Sequence, residues 1–269
     1  MSTDTKHNLV VEGIGPVEVT VTDDGTGHAF LLLHGGAGPQ SVAGFANLLS
    51  TRGARVITPT HPGFGGTPRP ESLDSIAGLA RVYAALLDQI DLDDVTVIGN
   101  SIGGWIAAEM ALTGSPRIGS LVLVDAAGIE VAGHPIADFF SLTLDQVAKL
   151  SYHDPDRFRI DPTTMSEQQR AVFAGNRSSL AIYAGAAMTD PALRGRLANV
   201  TVPALVVWGD SDQMVDTDYG RAYAAAIPGA TFVLLTGTGH VPQIETPEQL
   251  LTPVWDFAVA HTRVRQPGA

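Results

Sequence analysis

Short apolar runs rich in β-branched residues alternate along this chain with longer stretches whose apolar positions recur at helical spacing. Residues 9–11 and 17–21, separated by Gly13, Gly15 and Pro16, read as two strands joined by a turn. The segments 30–33, 55–57, 95–98, 121–124, 204–208 and 232–235 are near-continuous apolar runs, as expected of parallel strands buried on both faces. Between them lie amphipathic stretches. In 72–90 the apolar residues Leu73, Ile76, Leu79, Ala80, Tyr83, Leu86, Leu87 and Ile90 follow a 3.6-residue period and predict a helix. A second helix is predicted over 102–110. A third begins at Thr246-Pro247-Glu248-Gln249, with Thr246 as N-cap, Pro247 in the first turn and Gln249 completing a capping box. Strands alternating with helices imply right-handed crossovers and an open, mostly parallel sheet with helices on both faces.

One stretch breaks the alternation. No buried strand is evident between Val124 and Pro203, and apolar clusters such as Phe139-Phe140 and Ile182-Tyr183 are interrupted by Pro135, Pro155, Pro162 and Pro191. A structureless loop of that length is improbable in a compact domain. The expected organisation is therefore an α/β core from 1–125 and 203–269, with a helical cap, 126–202, inserted after the sixth strand.

Composition narrows the chemistry. The 269 residues suffice for a substantial core. There is no cysteine, which excludes disulfides, thiolate metal sites and cysteine nucleophiles. The net charge of −12 repels phosphate backbones and anionic membranes, so neither nucleic acid nor a membrane is an expected partner. The N-terminal residues lack the pattern of a signal peptide, and no run of apolar residues could span a bilayer, so a cytoplasmic location is expected. The tail from 263 to 269 is expected to fray.

The strongest chemical signal is Gly99-Asn100-Ser101-Ile102-Gly103, a G-x-S-x-G match. Taken alone the match is a weak signal. Here it directly follows a predicted strand and opens a predicted helix, the setting of a nucleophile elbow. So tight a turn needs small residues two before and two after the serine, and Gly99 and Gly103 meet that need. The alternative is that Ser101 merely caps the helix.

A serine needs a base and an orienting acid. His240, after the last strand among Gly237, Gly239 and Val241, is the candidate base. In Gly209-Asp210-Ser211-Asp212 both aspartates are candidate acids and Asp212 is preferred. Asp125, at the end of 121–124, is the rival. Oxyanion donors are expected from the amides of Ile102 and of Gly36 in His34-Gly35-Gly36-Ala37-Gly38, with His34 structural beneath the loop. Candidate substrate contacts are Gly35, Asn100, Trp105, Phe139 and Val241. No metal or organic cofactor is required.

Together Leu33-His34-Gly35-Gly36, Pro62-Gly63-Phe64-Gly65-Gly66-Thr67, Gly99–Gly104, Gly209–Asp212 and Gly239-His240 resemble the α/β-hydrolase superfamily, over about residues 10 to 260. The resemblance implies an eight-stranded, mostly parallel sheet and the order nucleophile, acid, histidine, with Asp212 as acid. It departs at Thr60-His61, where many relatives have aspartate. Ser101 argues against relatives with an aspartate nucleophile. The expected activity is hydrolysis of a carboxylic ester of a small, mainly hydrophobic molecule through an acyl-enzyme. The Gly-Gly loop and Asn100 also look like carbon–carbon hydrolases of aromatic ring-cleavage products. Those carry tryptophan where Val241 stands, and a cap arginine for which Arg159 or Arg177 are the candidates. A slow-turnover small-ligand receptor on the same fold is the third expectation.

Overall fold

A computed structural model describes residues 3–262. The N-terminal hairpin is longer than the hydrophobic pattern suggested. β1 (Thr3–Val11) pairs antiparallel with β2 (Gly15–Gly25), the polar half of β1 being held by backbone register rather than by a buried face. Then follow β3 (Ala29–Leu33), β4 (Arg55–Pro59), β5 (Val95–Asn100), β6 (Ile118–Val124), β7 (Ala204–Gly209) and β8 (Thr231–Leu235). They form one eight-stranded sheet in the order β1-β2-β4-β3-β5-β6-β7-β8. The ladders from β4 through β8 are parallel, and β2 joins β4 antiparallel.

Helices cover both faces. α1 (Gln40–Thr51) and the C-terminal α10 (Pro247–His261) pack on one, where Phe30, Leu32, Ile98 and Val207 meet Phe45, Leu49, Leu250 and Val254. α2 (Ile76–Gln89), α3 (Ile102–Leu112) and α8 (Thr217–Ala226) cover the other, where Leu31, Leu33, Val97 and Val206 meet Leu79, Tyr83, Ile106 and Tyr219. The alternation of Phe30 and Leu32 with Leu31 and Leu33 is the two-residue period of a strand buried on both sides.

Two helix starts differ from the sequence pattern. α2 begins at Ile76, because the side chain of Ser75 accepts from Gly78 N and caps it there. At α10, Pro247 is the first helical residue as expected, but the capping box does not form. Thr246 makes no side-chain cap, its Oγ1 pairs with Thr238 Oγ1, and Gln249 donates instead to the Thr236 carbonyl.

Between β6 and β7 the chain forms α4 (Leu144–Ser151), α5 (Pro155–Phe158), α6 (Glu167–Ala184) and α7 (Leu193–Arg196). Full capping boxes start α4 at Thr143 and α6 at Ser166. This insertion is tied to the loop after β4: Ser179 Oγ donates to Gly63 O, Tyr183 Oη to Pro62 O, and Asn176 Oδ1 accepts from Gly65 N. α9 (Pro242–Glu245) is a single turn after β8. Among the described residues no helix is long and apolar enough to cross a membrane. The tail from 263 lies outside the described residues.

Candidate active site

The loops at the C-terminal ends of β3, β5, β6, β7 and β8 converge at one edge of the sheet, where open α/β sheets place their ligands. Ser101 sits between β5 and α3 with φ 57° and ψ −120°. A non-glycine residue there stores strain of roughly 1–3 kcal/mol, so the surroundings must hold it. They do so through the backbone: Ser101 N donates to Val124 O, and its carbonyl accepts from Gly104 N and Ala127 N. Its side chain makes no cap bond to α3, which removes the helix-cap explanation. The glycine requirement is met without slack. A Cβ on Gly99 would lie 2.0 Å from Gly103 O, and one on Gly103 would lie 2.3 Å from Leu33 O.

His240 is placed by its backbone and its ring. Its N–H donates to Ser151 O at the end of α4, and its carbonyl accepts from Asn100 Nδ2. Its Nδ1 is 2.8 Å from Asp212 Oδ2. The other oxygen of Asp212 accepts from Met214 N and Val215 N at 2.8 and 3.0 Å. Three donors therefore converge on one buried carboxylate, and Nε2 of His240 is left as the free ring nitrogen. His240 and Ser101 line the same cavity. Of the two loop aspartates only Asp212 meets the histidine. Asp210 turns outward to Ser211 Oγ and Gly237 N. Asp125, the rival, is fully buried, and burial together with the nearby Asp212 charge raises its pKa well above the carboxylate range. One donor atom each from Asp125, Asp212 and His240 lie within 4.8 Å of one another, the cluster that could in principle hold a cation, although His240 Nδ1 is already committed to Asp212.

Gly36 and Ile102 both border the cavity beside Ser101. The Gly36 loop is fixed by two buried histidines: His34, expected beneath the loop, and His61, whose part the sequence pattern did not expose. His34 and His61 stack with ring centroids 3.7 Å apart. His34 Nδ1 donates to Gly35 O while its Nε2 accepts from His61 N; His61 Nε2 donates to His34 O, and its Nδ1 accepts from Tyr83 Oη. These bonds set one tautomer on each ring and keep both neutral. Burial pushes His34 down to about 4, and burial followed by the neighbouring His34 lowers His61 well below its ordinary value.

The cavity has a volume of about 140 Å³ and is walled by apolar side chains from the insertion and the core, among them Phe139, Phe173, Leu180, Met188, Met214 and Val241. Phe139, Val241 and Asn100 border it, and of the other candidate contacts Trp105 and Gly35 do not. Trp105 lies off the cavity, packed against Gly128, because the first turn of α3 turns that side chain into the core. Gly35 is wedged behind the elbow against Asn100 and Ser101. Asn100 reaches the wall, but its amide is spent on Val124 O, His240 O and the side chain of Gln243. Gln243 and Glu245 were not singled out by pattern. Glu245 accepts from Gly239 N, His153 N and Asp154 N, clamping the histidine loop to the insertion. Of the two arginine candidates, Arg159 borders the cavity with a largely exposed side chain, whereas Arg177 lies over Phe139 and Phe140 and donates to their carbonyls.

Comparison with known proteins agrees with this architecture. A 2-hydroxy-6-oxononadienedioate/2-hydroxy-6-oxononatrienedioate hydrolase of Burkholderia vietnamiensis is 29% identical, over 95% of this chain and 96% of that protein. Lipase 1 of Psychrobacter immobilis is 30% identical, over 81% of this chain and 73% of that protein. The solved structure of a thermophilic esterase from Thermogutta terrifontis superposes with a TM-score of 0.77 at 22% identity, covering 96% of this chain and all of that one. The model of the Alpha/beta hydrolase family matches residues 30–252, and the chain belongs to that family.

Proposed function

We propose that this hydrolase cleaves carboxylic esters of small, mainly hydrophobic molecules through an acyl-enzyme on Ser101. The observation that carries the proposal is a single apolar cavity bordered by Ser101, His240, Gly36 and Ile102, with His240 held on Asp212. In the proposed cycle His240 Nε2 takes the Ser101 proton as Oγ attacks the ester carbonyl. The amides of Gly36 and Ile102 receive the oxyanion. The imidazolium, steadied by Asp212, protonates the leaving alcohol. Water then attacks the acyl-enzyme by the same route. No step calls on a metal or organic cofactor. In this proposal the insertion at 126–202 serves as the cap that supplies the apolar wall. The volume is close to that of apolar cavities that hold a benzene-sized guest, roughly 150 Å³, which favours a compact acyl or aryl group.

A second reading, carbon–carbon hydrolysis of a ring-cleavage product, is favoured by the named relatives more than the ester reading is. The relatives' dioate carries two carboxylates. Among the described residues bordering this cavity the one permanently cationic side chain is Arg159, largely exposed and paired with Asp156. A buried anion needs a partner, so the wall suits a neutral substrate better. A series of 4-nitrophenyl esters of increasing acyl length, assayed beside a 2-hydroxy-6-oxo-dienoate, separates the two. The expected result is multiple turnovers on short and benzoyl-sized esters, falling for long linear chains, at a kcat/KM well above that for the dienoate. The reverse ranking would move the assignment to carbon–carbon cleavage. Binding without repeated turnover on either would indicate a receptor.

A further inference from the structure

We propose that Asp125 is a reserve acid of the catalytic site, a second carboxyl beside Asp212 that supplies the charge orienting His240 when the Asp212 carboxylate is lost. The proposal rests on the Ser101–His240–Asp212 assignment. Asp125 ends β6 in a left-handed conformation, φ 44°, with no solvent exposure. Its Oδ1 accepts from Gly209 N at 2.9 Å, so it grips the start of the very loop that carries Asp212. Its Oδ2 is buried and receives no donor, facing the Asp212 carboxyl. A carboxyl oxygen of Asp125, one of Asp212 and a ring nitrogen of His240 lie within 4.8 Å of one another.

Two carboxylates this close in a dry site cannot both be ionised; the pair holds one charge and one proton. Asp212 accepts two amide protons and the His240 Nδ1 proton, three donors against the single one that Asp125 has. Asp125 has one amide donor and keeps the proton. The titratable groups facing it are Asp212 from the loop after β7 and His240 from the loop after β8; Glu109 on α3 is held by Arg196. Removing the Asp212 charge removes the repulsion. Asp125 then loses its proton to solvent and becomes the carboxylate nearest His240.

The test uses the full chain as wild type, Asp125→Asn, Asp212→Asn and the double variant, each checked for folding by circular dichroism and thermal melting. Asp125→Ser replaces the asparagine variant should the amide disturb the Gly209 bond. Ester kcat/KM is followed from about pH 5 to 9. Asp125→Asn is expected to lose far less than Asp212→Asn and to keep the shape of the wild-type pH profile. Asp212→Asn is expected to lose about 10²–10⁴-fold near neutrality and to recover at least about tenfold as pH rises. The double variant loses that recovery. Equal rates and equal pH profiles for Asp212→Asn and the double variant would overturn the proposal. So would a loss in Asp125→Asn as deep as in Asp212→Asn. A second readout needs no substrate: the low-field Nδ1 proton of His240 by NMR. It should persist in Asp125→Asn, return in Asp212→Asn only at high pH, and stay absent from the double variant. If no ester is turned over, the substrate assignment fails while this signal still decides the role of Asp125; its absence from Asp212→Asn at every pH would refute the reserve acid.

Discussion

At the residue scale the meeting of Ser101, His240 and Asp212 at one edge of the sheet was legible because each follows a strand whose apolar run is unmistakable, and each lies near glycines that a tight turn demands. Side-chain direction was not legible. Asn100 and Trp105 sit beside Ser101 in sequence, yet one amide is consumed in holding the histidine loop and the indole points into the core. Nor does sequence show that Asp125 is dry. That burial has a consequence for stability. An acid whose pKa is raised on folding binds its proton more tightly in the folded state, so stability is lost as pH rises above the unfolded value. Asp125→Asn removes the penalty. The variant should melt near the wild-type temperature at about pH 4 and above it at about pH 7, by an amount that grows with pH. A melting difference independent of pH would show that Asp125 stays as easily ionised as an exposed carboxyl.

At the element scale, strands emerged from continuous apolar runs and α2 from its period, while element ends were set by side chains that pattern alone does not weigh. Ser75 stops α2 from beginning at 72, and Thr246 gives its hydroxyl to Thr238 instead of to α10. The loop after β3 shows a stronger case. Thr60-His61 stood out only as a departure from relatives, and the structure gives the departure a use: His61 stacks on His34 and pins the loop that carries Gly36. Both rings are neutral when folded. For a base lowered by burial, the stabilisation is complete above about pH 6.5 and is lost as pH falls toward the folded value of about 4. The His34 shift alone corresponds to about 3 kcal/mol across that window. His34→Gln keeps a donor and an acceptor but cannot be protonated. Its melting temperature should fall less than that of wild type between pH 7 and about 5. Parallel falls in both proteins would show that acid acts elsewhere.

At the scale of the whole molecule, parallel sheet, crossovers and an insertion between β6 and β7 were all foreseeable from the order of apolar runs. How the insertion meets the core was not, because the ties are made by backbone groups and by residues without a pattern. Glu245 binds the histidine loop to the chain after α4, and Asn176, Ser179 and Tyr183 bind α6 to the loop after β4. These contacts fasten the insertion at two places over the cavity that Ser101 and His240 border, so its apolar side chains and that edge of the sheet enclose one space. The most direct measurement is intact-protein mass spectrometry after treatment with an aryl phosphonate, followed by peptide mapping. One adduct per chain, carried by Ser101, accompanied by loss of esterase activity and absent from Ser101→Ala, is the expected result. An adduct at another residue, or undiminished ester turnover by Ser101→Ala, would contradict an acyl-enzyme on Ser101.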